Sequence, residues 1–171
     1  RTAGLLAEHA PKEVLLVGIA GAYDIELHPT GTALAFNKVA VHGIGAGEGE
    51  DFQGPASLGF PQWPASVEAG AVEDRIELQT PKGDGLLLST CAASDSPARA
   101  SLLQERYPGA LAEDMEGFGV ALACHLASTP CWIVRGISNQ VGDRDATSWR
   151  IPSALAAARR CALELLGVEP A

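Results

Sequence analysis

Four short apolar runs constrain this chain more than any other feature. They are Val14–Val17, Gly85–Thr90, the start of the short strand Ala110–Asp114, and Cys131–Val134. Runs of this length without polar alternation mark strands buried on both faces of a largely parallel sheet. Helical patterns separate them. Asp95 or Ser96 caps a helix that has Pro97 in its first turn and runs to about Tyr107. A second helix runs from Gly117 to about Ala127, apolar on most sides. A third starts at Ile151-Pro152-Ser153 and is closed by Gly167. Residues 1–10 read as the end of a helix stopped at Pro11, and Thr32–Val41 and Arg75–Thr80 read as further strands. The stretch Gly18–Tyr23 reads as a glycine-bearing loop after the first buried strand. Strand-helix alternation predicts an α/β fold with helices on both faces of the sheet. Ligands in such folds sit beyond the carboxyl ends of strands. The residues following Val17, Ser89, Asp114 and Val134 are therefore expected to converge.

A length of 171 residues suits one domain, 1–171, with a real core. The net charge of -9, with no basic stretch, excludes nucleic acid and anionic membrane as partners, because phosphate binding relies on clustered Lys and Arg. A small ligand needs only one local arginine. Cys91, Cys124, Cys131 and Cys161 show no CxxC spacing and sit in apolar runs. They read as buried free thiols in a reducing compartment, with no zinc site, no disulfide framework and no cofactor expected. No signal peptide and no apolar run of about 18 residues is present, so the expected location is the cytoplasm.

The chemistry concentrates in two stretches, Ala112–Gly117 and Ile133–Asp145, the second reading as a short apolar strand that opens into a loop over residues 135–145. Asp114 and Glu116 form a carboxylate pair at a strand end, just before an apolar helix. A carboxylate accepts two hydrogen bonds side by side, which matches the 2′- and 3′-hydroxyls of a ribose. At the start of an apolar helix Glu116 is expected to be buried and favoured by the helix dipole, and taken alone it reads first as a plain helix-start acid. Arg135 ends a buried strand and needs a partner there: an ion pair with Asp114 or Glu116, a ligand, or both. Asn139 offers an amide that matches the N7/O6 edge of a 6-oxopurine, and equally reads as a turn residue. Residues 42–70, glycine- and proline-rich with Phe52, Phe60 and Trp63, read as a loop, lid or subunit contact.

The order "GIAG", "DMEG", "VRGISN" resembles the purine nucleoside phosphorylase / methylthioadenosine–S-adenosylhomocysteine nucleosidase superfamily. The longer run "ISNQVGDRDATSW" is similar to the futalosine hydrolase family within it. The resemblance implies a three-layer α/β/α fold with a mixed, mostly parallel twisted sheet. It also implies cleavage of an N-glycosidic bond, with hypoxanthine leaving futalosine in menaquinone biosynthesis. Asn139 and Glu116 carry over as catalytic residues. Met115, Asp114, Arg135, Ser138, Ile19, Ala20, Gly21, Cys91 and Ala92 carry over as substrate-binding. Leu16 and Ile19 stand where phosphorylases hold phosphate, which favours water as nucleophile. Asn139 stands where adenosine-type nucleosidases carry a protonatable Asp, which favours hypoxanthine as leaving group. The family's water-activating glutamate, on an N-terminal strand, has no counterpart here: Glu8 and Glu13 do not match its setting. Relative to the family the chain reads as N-terminally truncated, and if complete as written its hydrolysis would be severely weakened. Methylthioadenosine cleavage, phosphorolysis and non-catalytic nucleoside binding stand as alternatives. Arg144 and Arg150 are candidates for the carboxylate of the futalosine side chain. A homodimer or larger assembly is expected.

Overall fold

A computed structural model describes residues 1–65 and 70–168. Helix α1 (Thr2–His9) turns through Ala10 in a left-handed conformation, φ 40°, and Pro11 prevents its continuation. Strand β1 (Val14–Ala22) follows, then β2 (Ala33–Phe36), β3 (Lys38–His42), a 3-10 turn at Gly49–Asp51 and a single helical turn α2 (Pro55–Leu58). The remainder alternates: β4 (Arg75–Glu77), β5 (Leu86–Thr90), α3 (Pro97–Arg106), β6 (Ala110–Asp114), α4 (Gly117–Leu126), β7 (Cys131–Gln140) and α5 (Ile151–Leu165). The cap of α3 is the expected one, with Ser96 Oγ accepting from the Arg99 N–H at 3.3 Å.

Among the described residues seven strands form one sheet, in the order β2-β7-β1-β6-β5-β3-β4. Parallel ladders join β1 to β7, β3 to β5 and β5 to β6. Antiparallel ones join β1 to β6, β2 to β7 and β3 to β4. The longest is β1–β7, from Val14/Cys131 to Ala22/Gln140. β1 meets β6 only at Gly21/Glu113 and Ala22/Ala112, so these two strands touch near the ends that build the site.

Two differences from the sequence reading have clear causes. First, Thr32–Val41 is not one strand. Asn37 divides it, and β2 and β3 fall near opposite ends of the strand order. One residue bridges only about 7 Å, so the sheet must curl until its ends meet. Backbone bonds from Asp84 N to Ala35 O and from Leu78 N to Asn37 O, at 2.8 Å each, close that seam. Second, Gly18–Ala22 and Arg135–Gln140 are not loops, and only Tyr23 of the first stretch and the residues after Gln140 of the second lie outside the strands. Both continue their strands, because each supplies the other's backbone hydrogen-bond partners in the β1–β7 ladder.

Helix α4 touches β1, β7, β5, β3 and β4, and so lies inside the curl, with α1 packed against it. Strand alternation separates the two faces. Leu87 joins the cluster of Phe118, Ala121 and Cys124 on the α4 side, while Leu86 and Leu88 join Leu103 and Tyr107 around α3 on the other. Helix α5 covers β7, β1 and β2 through Ala154, Ala157 and Ala158. It comes so close that a Cβ on Gly136 would lie 1.9 Å from the Ala154 carbonyl oxygen. Phe52 is buried against the His42 ring at 4.4 Å, so this aromatic is local packing. All four thiols are free. Cys124 and Cys131 are buried, and burial pushes the Cys131 thiol up to about 12. Cys161 is half-buried, and Cys91 is exposed, contrary to the buried reading, because β5 has ended and the chain has turned toward solvent. Among the described residues no helix is long and apolar enough to cross a membrane.

Candidate active site

The ends of β1, β6 and β7 and the segment after β5 meet at one cleft of about 370 Å³. Its floor is built around Arg135, 3% exposed in the middle of β7. The Arg135 Nε and Nη2 groups donate to Asp114 Oδ2 at 2.9 and 2.5 Å, and Nη2 also reaches Glu116 Oε2 at 3.3 Å. The guanidinium lies across β1 only because position 18 has no side chain: a Cβ on Gly18 would stand 2.1 Å from Nη1. The other oxygen of Asp114 accepts from Ser89 Oγ at 2.5 Å, and Oδ2 also takes the Gly117 N–H at 3.0 Å. Ser89 Oγ in turn accepts from the Phe118 N–H at 2.8 Å. The start of α4 is thus tied to β5, β6 and β7 by one buried network. Asp114 spends its acceptor capacity on protein donors and acts as the support of this turn. Removing one partner of such a pair costs about 3–5 kcal/mol, since the other is left as an uncompensated buried charge.

Glu116 sits two residues further on, in a different environment. It precedes the first residue of α4, and its side chain is 65% exposed, not buried as the helix-start reading had it. One contact, from Arg135, orients its carboxylate and leaves most of its acceptor sites open to the cleft. Met115 beside it is 54% exposed, a large apolar side chain on the cleft wall.

Sequence reasoning gave no role to Glu113. Its side chain is buried and lines the cleft. Oε1 accepts from the Ser94 N–H at 2.7 Å, and Oε2 accepts from Ser94 Oγ at 2.7 Å and Tyr23 Oη at 3.0 Å. All three partners are donors. Burial, and then the neighbouring Glu113 charge, hold the Tyr23 hydroxyl well above its ordinary range, so it stays a donor. The signal available in the sequence was three acids within four residues at a strand end, where alternation must send neighbours to opposite faces.

Asn139 is placed by an irregularity. The β1–β7 register slips between Ala20 and Gly21, so that Ala20 pairs with Ile137 and Gly21 with Asn139, leaving Ser138 as the extra residue. Ser138 Oγ lies 3.2 Å from the Ala20 carbonyl oxygen and 2.7 Å from Asn139 Oδ1. Asn139 Nδ2 donates to the Gln140 carbonyl at 2.8 Å, which fixes the amide and leaves one N–H for a ligand. The loop beyond is braced by short polar contacts. Asp143 takes Ser148 Oγ at 2.5 Å and the Asp145 N–H at 2.9 Å, and Asp145 takes the Thr147 N–H and hydroxyl at 3.0 and 2.7 Å. Hydrogen bonds from Thr147 hold the Asp145 carboxyl below its usual value. Trp149 lines the cleft with Arg144, whose guanidinium lies 5.3 Å from the indole ring.

The structure brings Ile19, Ala20, Gly21, Asp114, Met115, Glu116, Arg135, Ser138 and Asn139 to this cleft. Cys91 and Ala92 lie outside it; Ala93 and Ser94 line it instead, because β5 runs to Thr90 and the chain needs two more residues to turn inward. Leu16, Arg150, Glu8 and Glu13 are also outside the lining, and both glutamates are exposed.

Comparison with known proteins gives the family and the fold. The phosphorylase superfamily model matches residues 1–167. The futalosine hydrolase of Streptomyces coelicolor is 38% identical over 144 residues, covering 84% of this chain and 60% of that protein. The futalosine hydrolase of Thermus thermophilus is 30% identical over 175 residues, covering 98% of this chain and 75% of that protein. The chain thus spans about 60% of the length of the Streptomyces protein. A methylthioadenosine/S-adenosylhomocysteine nucleosidase from Colwellia psychrerythraea, solved with adenine, shares the fold. Its TM-score is 0.76 at 18% identity, covering 97% of this chain and 71% of that one. The chain belongs to the phosphorylase superfamily and is a relative of the futalosine hydrolases.

Proposed function

We propose that this cleft binds a 6-oxopurine nucleoside and serves hydrolysis of its N-glycosidic bond, with futalosine as substrate and hypoxanthine and dehypoxanthinyl futalosine as products. The observation that carries the reading is the pairing of Glu116 with Asn139 across one cleft, each oriented by the protein and each with hydrogen-bonding capacity to spare. The Glu116 carboxylate accepts from the ribose 2′- and 3′-hydroxyls, and Met115 lies against the sugar. The remaining Asn139 N–H donates to N7 of the base. As the C1′–N9 bond breaks, its electron pair leaves with the purine, and a donor already in place at N7 takes up that charge. Water adds its oxygen to C1′, and its proton passes to the departing base. An amide has no proton to give, so the leaving group must depart with hydrogen-bond help only, and hypoxanthine is better suited to this than adenine. Arg144, on the cleft wall, is the candidate partner for the substrate carboxylate.

Water is favoured over phosphate because Ile19 is apolar where β1 lines the cleft and Arg135 is taken up by Asp114 and Glu116. The setting we propose is cytoplasmic menaquinone biosynthesis, in a homodimer or larger assembly for which the exposed Phe60 and Trp63 are candidate contacts. The deciding experiment incubates the protein with futalosine, inosine or methylthioadenosine, with and without phosphate, and measures free base. Hypoxanthine from futalosine without phosphate is the expected result. Release of adenine from methylthioadenosine in preference to hypoxanthine, or strict dependence on phosphate, would overturn the reading.

A further inference from the structure

We infer that Cys124 and Cys131 form a redox-active pair: a small disulfide reaching Cys131 through the cavity beside it converts the two thiols into a disulfide that ties the end of α4 to the start of β7. The inference does not depend on the nucleoside reading of the cleft.

The turn between the two elements sets up the pair. Helix α4 ends at Leu126, and β7 begins at Cys131. Between them the chain reverses tightly. The Ser128 N–H donates to the His125 carbonyl at 3.0 Å and the Thr129 N–H to the Cys124 carbonyl at 2.9 Å, with Ser128 in a left-handed conformation, φ 51°. Cys131 is held on its other side by pairing with Val14 in the β1–β7 ladder. The last turn of α4 is thereby brought back onto the first residue of β7. The two thiols hydrogen-bond each other and belong to one buried cluster. The other two cysteines are placed differently: Cys161 lies on α5 near Glu164, and Cys91 is exposed after β5.

A route to the pair exists. Cys131 lines a cavity of about 310 Å³ together with Ala121, His125, Glu77 and Gln79. Glu77 and Gln79 are exposed, so this wall of the cavity meets solvent. His125 Nε2 has no hydrogen-bond partner among the described residues. A thiol must shed its proton before it reacts, and this ring nitrogen on the wall of the same cavity offers a place for it.

The chemistry is thiol–disulfide exchange. The Cys131 thiolate attacks one sulfur of the small disulfide, forming a mixed disulfide and releasing one thiol. The Cys124 thiolate then attacks the Cys131 sulfur and releases the second. Two electrons pass from the protein pair to the small disulfide, and the two protein protons leave on the released thiols. Burial raises both protein thiols, Cys131 to about 12, so thiolate is scarce and exchange is slow. The pair answers sustained oxidation, not a brief pulse. Its product closes the loop Cys124–Cys131, and a closed loop stabilises by removing freedom from the unfolded chain. The tie falls on the two elements that carry the site, since α4 starts just after Glu116 and β7 holds Arg135 and Asn139.

The test uses the folded chain and cystamine, a small disulfide. After incubation at about pH 8, near the ordinary thiol value, remaining thiols are alkylated and the peptides mapped by mass spectrometry. Cys124 joined to Cys131 is expected, with a mixed disulfide at Cys91. A thermal midpoint about 5–10 °C higher, returning on reduction, is expected with it. Cys124 and Cys131 still free after incubation well past complete modification of Cys91 overturn the inference, as does a mixed disulfide at Cys131 that never closes. A linkage that lowers the midpoint shows that the closed loop strains the fold and overturns the proposed tie. Cys131→Ser is expected to abolish the rise; a rise that persists in this variant belongs to another thiol and overturns the assignment. The peptide map of the wild-type protein decides the matter even if the variant does not fold.

Discussion

The two sides of the cleft are built on opposite principles. On the β6–α4 side, Arg135, Asp114, Ser89 and the amides of Gly117 and Phe118 form a buried network in which nearly every donor and acceptor is used internally. On the β7–α5 side, Asn139, Asp143, Asp145 and Trp149 sit in a half-buried or exposed segment braced by contacts only a few residues long. The first side is a rigid support that presents one exposed carboxylate, Glu116. The second is a set of local turns that presents an amide and a guanidinium. Buried networks set stability, because breaking them strands charge in a poor solvent. Exposed ones set recognition, because their unused capacity is what a ligand meets.

Breaking the buried side has the largest expected effect. Arg135→Met leaves Asp114 without its cation and is expected to cost about 3–5 kcal/mol, lowering the thermal midpoint by roughly 10 °C. A loss under about 1 kcal/mol in calorimetry would show that the turn does not depend on this pair. Gly18→Val places a methyl-bearing carbon where Nη1 now lies and is expected to cost about 1–3 kcal/mol. Combined with Arg135→Met it should cost less than the sum of the two, since the clash disappears with the arginine; strict additivity in the double-mutant cycle would separate the two sites.

On the open side, stability and recognition should come apart. Glu116→Gln and Asn139→Ala are expected to change stability by no more than about 0.5 kcal/mol, as surface substitutions do, while lowering nucleoside cleavage or affinity about ten- to hundred-fold. Asn139→Asp sets a carboxylate oxygen against the Gln140 carbonyl and is expected to move base preference away from 6-oxopurines; an unchanged preference would remove Asn139 from the base site. The smallest effect is expected at Asp145. Its carboxyl lies below the usual value of 3.8 because it accepts from Thr147. A depressed folded-state value contributes stability above the ordinary carboxylate range and loses it as pH falls through the lowered value. Thr147→Val should bring the Asp145 titration, followed by NMR, back toward the ordinary value. A titration left where it was would show that the loop is held by something other than this contact.

Much of the fold was legible because its local signals are strong. Apolar runs at Val14, Leu86 and Ile133, the Ser96-Pro97 helix start and Gly167 after α5 all state their conformation within a few residues. The misreadings share one cause. Gly18–Ala22 and Ser138–Gln140 look like loops because glycine and polar residues have little strand preference of their own. They are strands because each is the other's hydrogen-bonding partner, which no local window contains. Asn37 is similar: nothing in Thr32–Val41 tells that one extended segment must serve both ends of a curled sheet.

The site divides in the same way. The sequence by itself determined which residue types lie at the strand ends, and so brought forward Glu116, Arg135 and Asn139 as charged or amide groups where burial makes them costly without partners. Tertiary structure decided how each is used. It saturated Asp114, left Glu116 open, turned Ala93 and Ser94 inward in place of Cys91 and Ala92, and set Glu113 and Asn139 on either side of Gly21. The physical reason is that a side chain's remaining hydrogen-bonding capacity depends on the partners that strand register brings to it, and register is a property of the whole sheet.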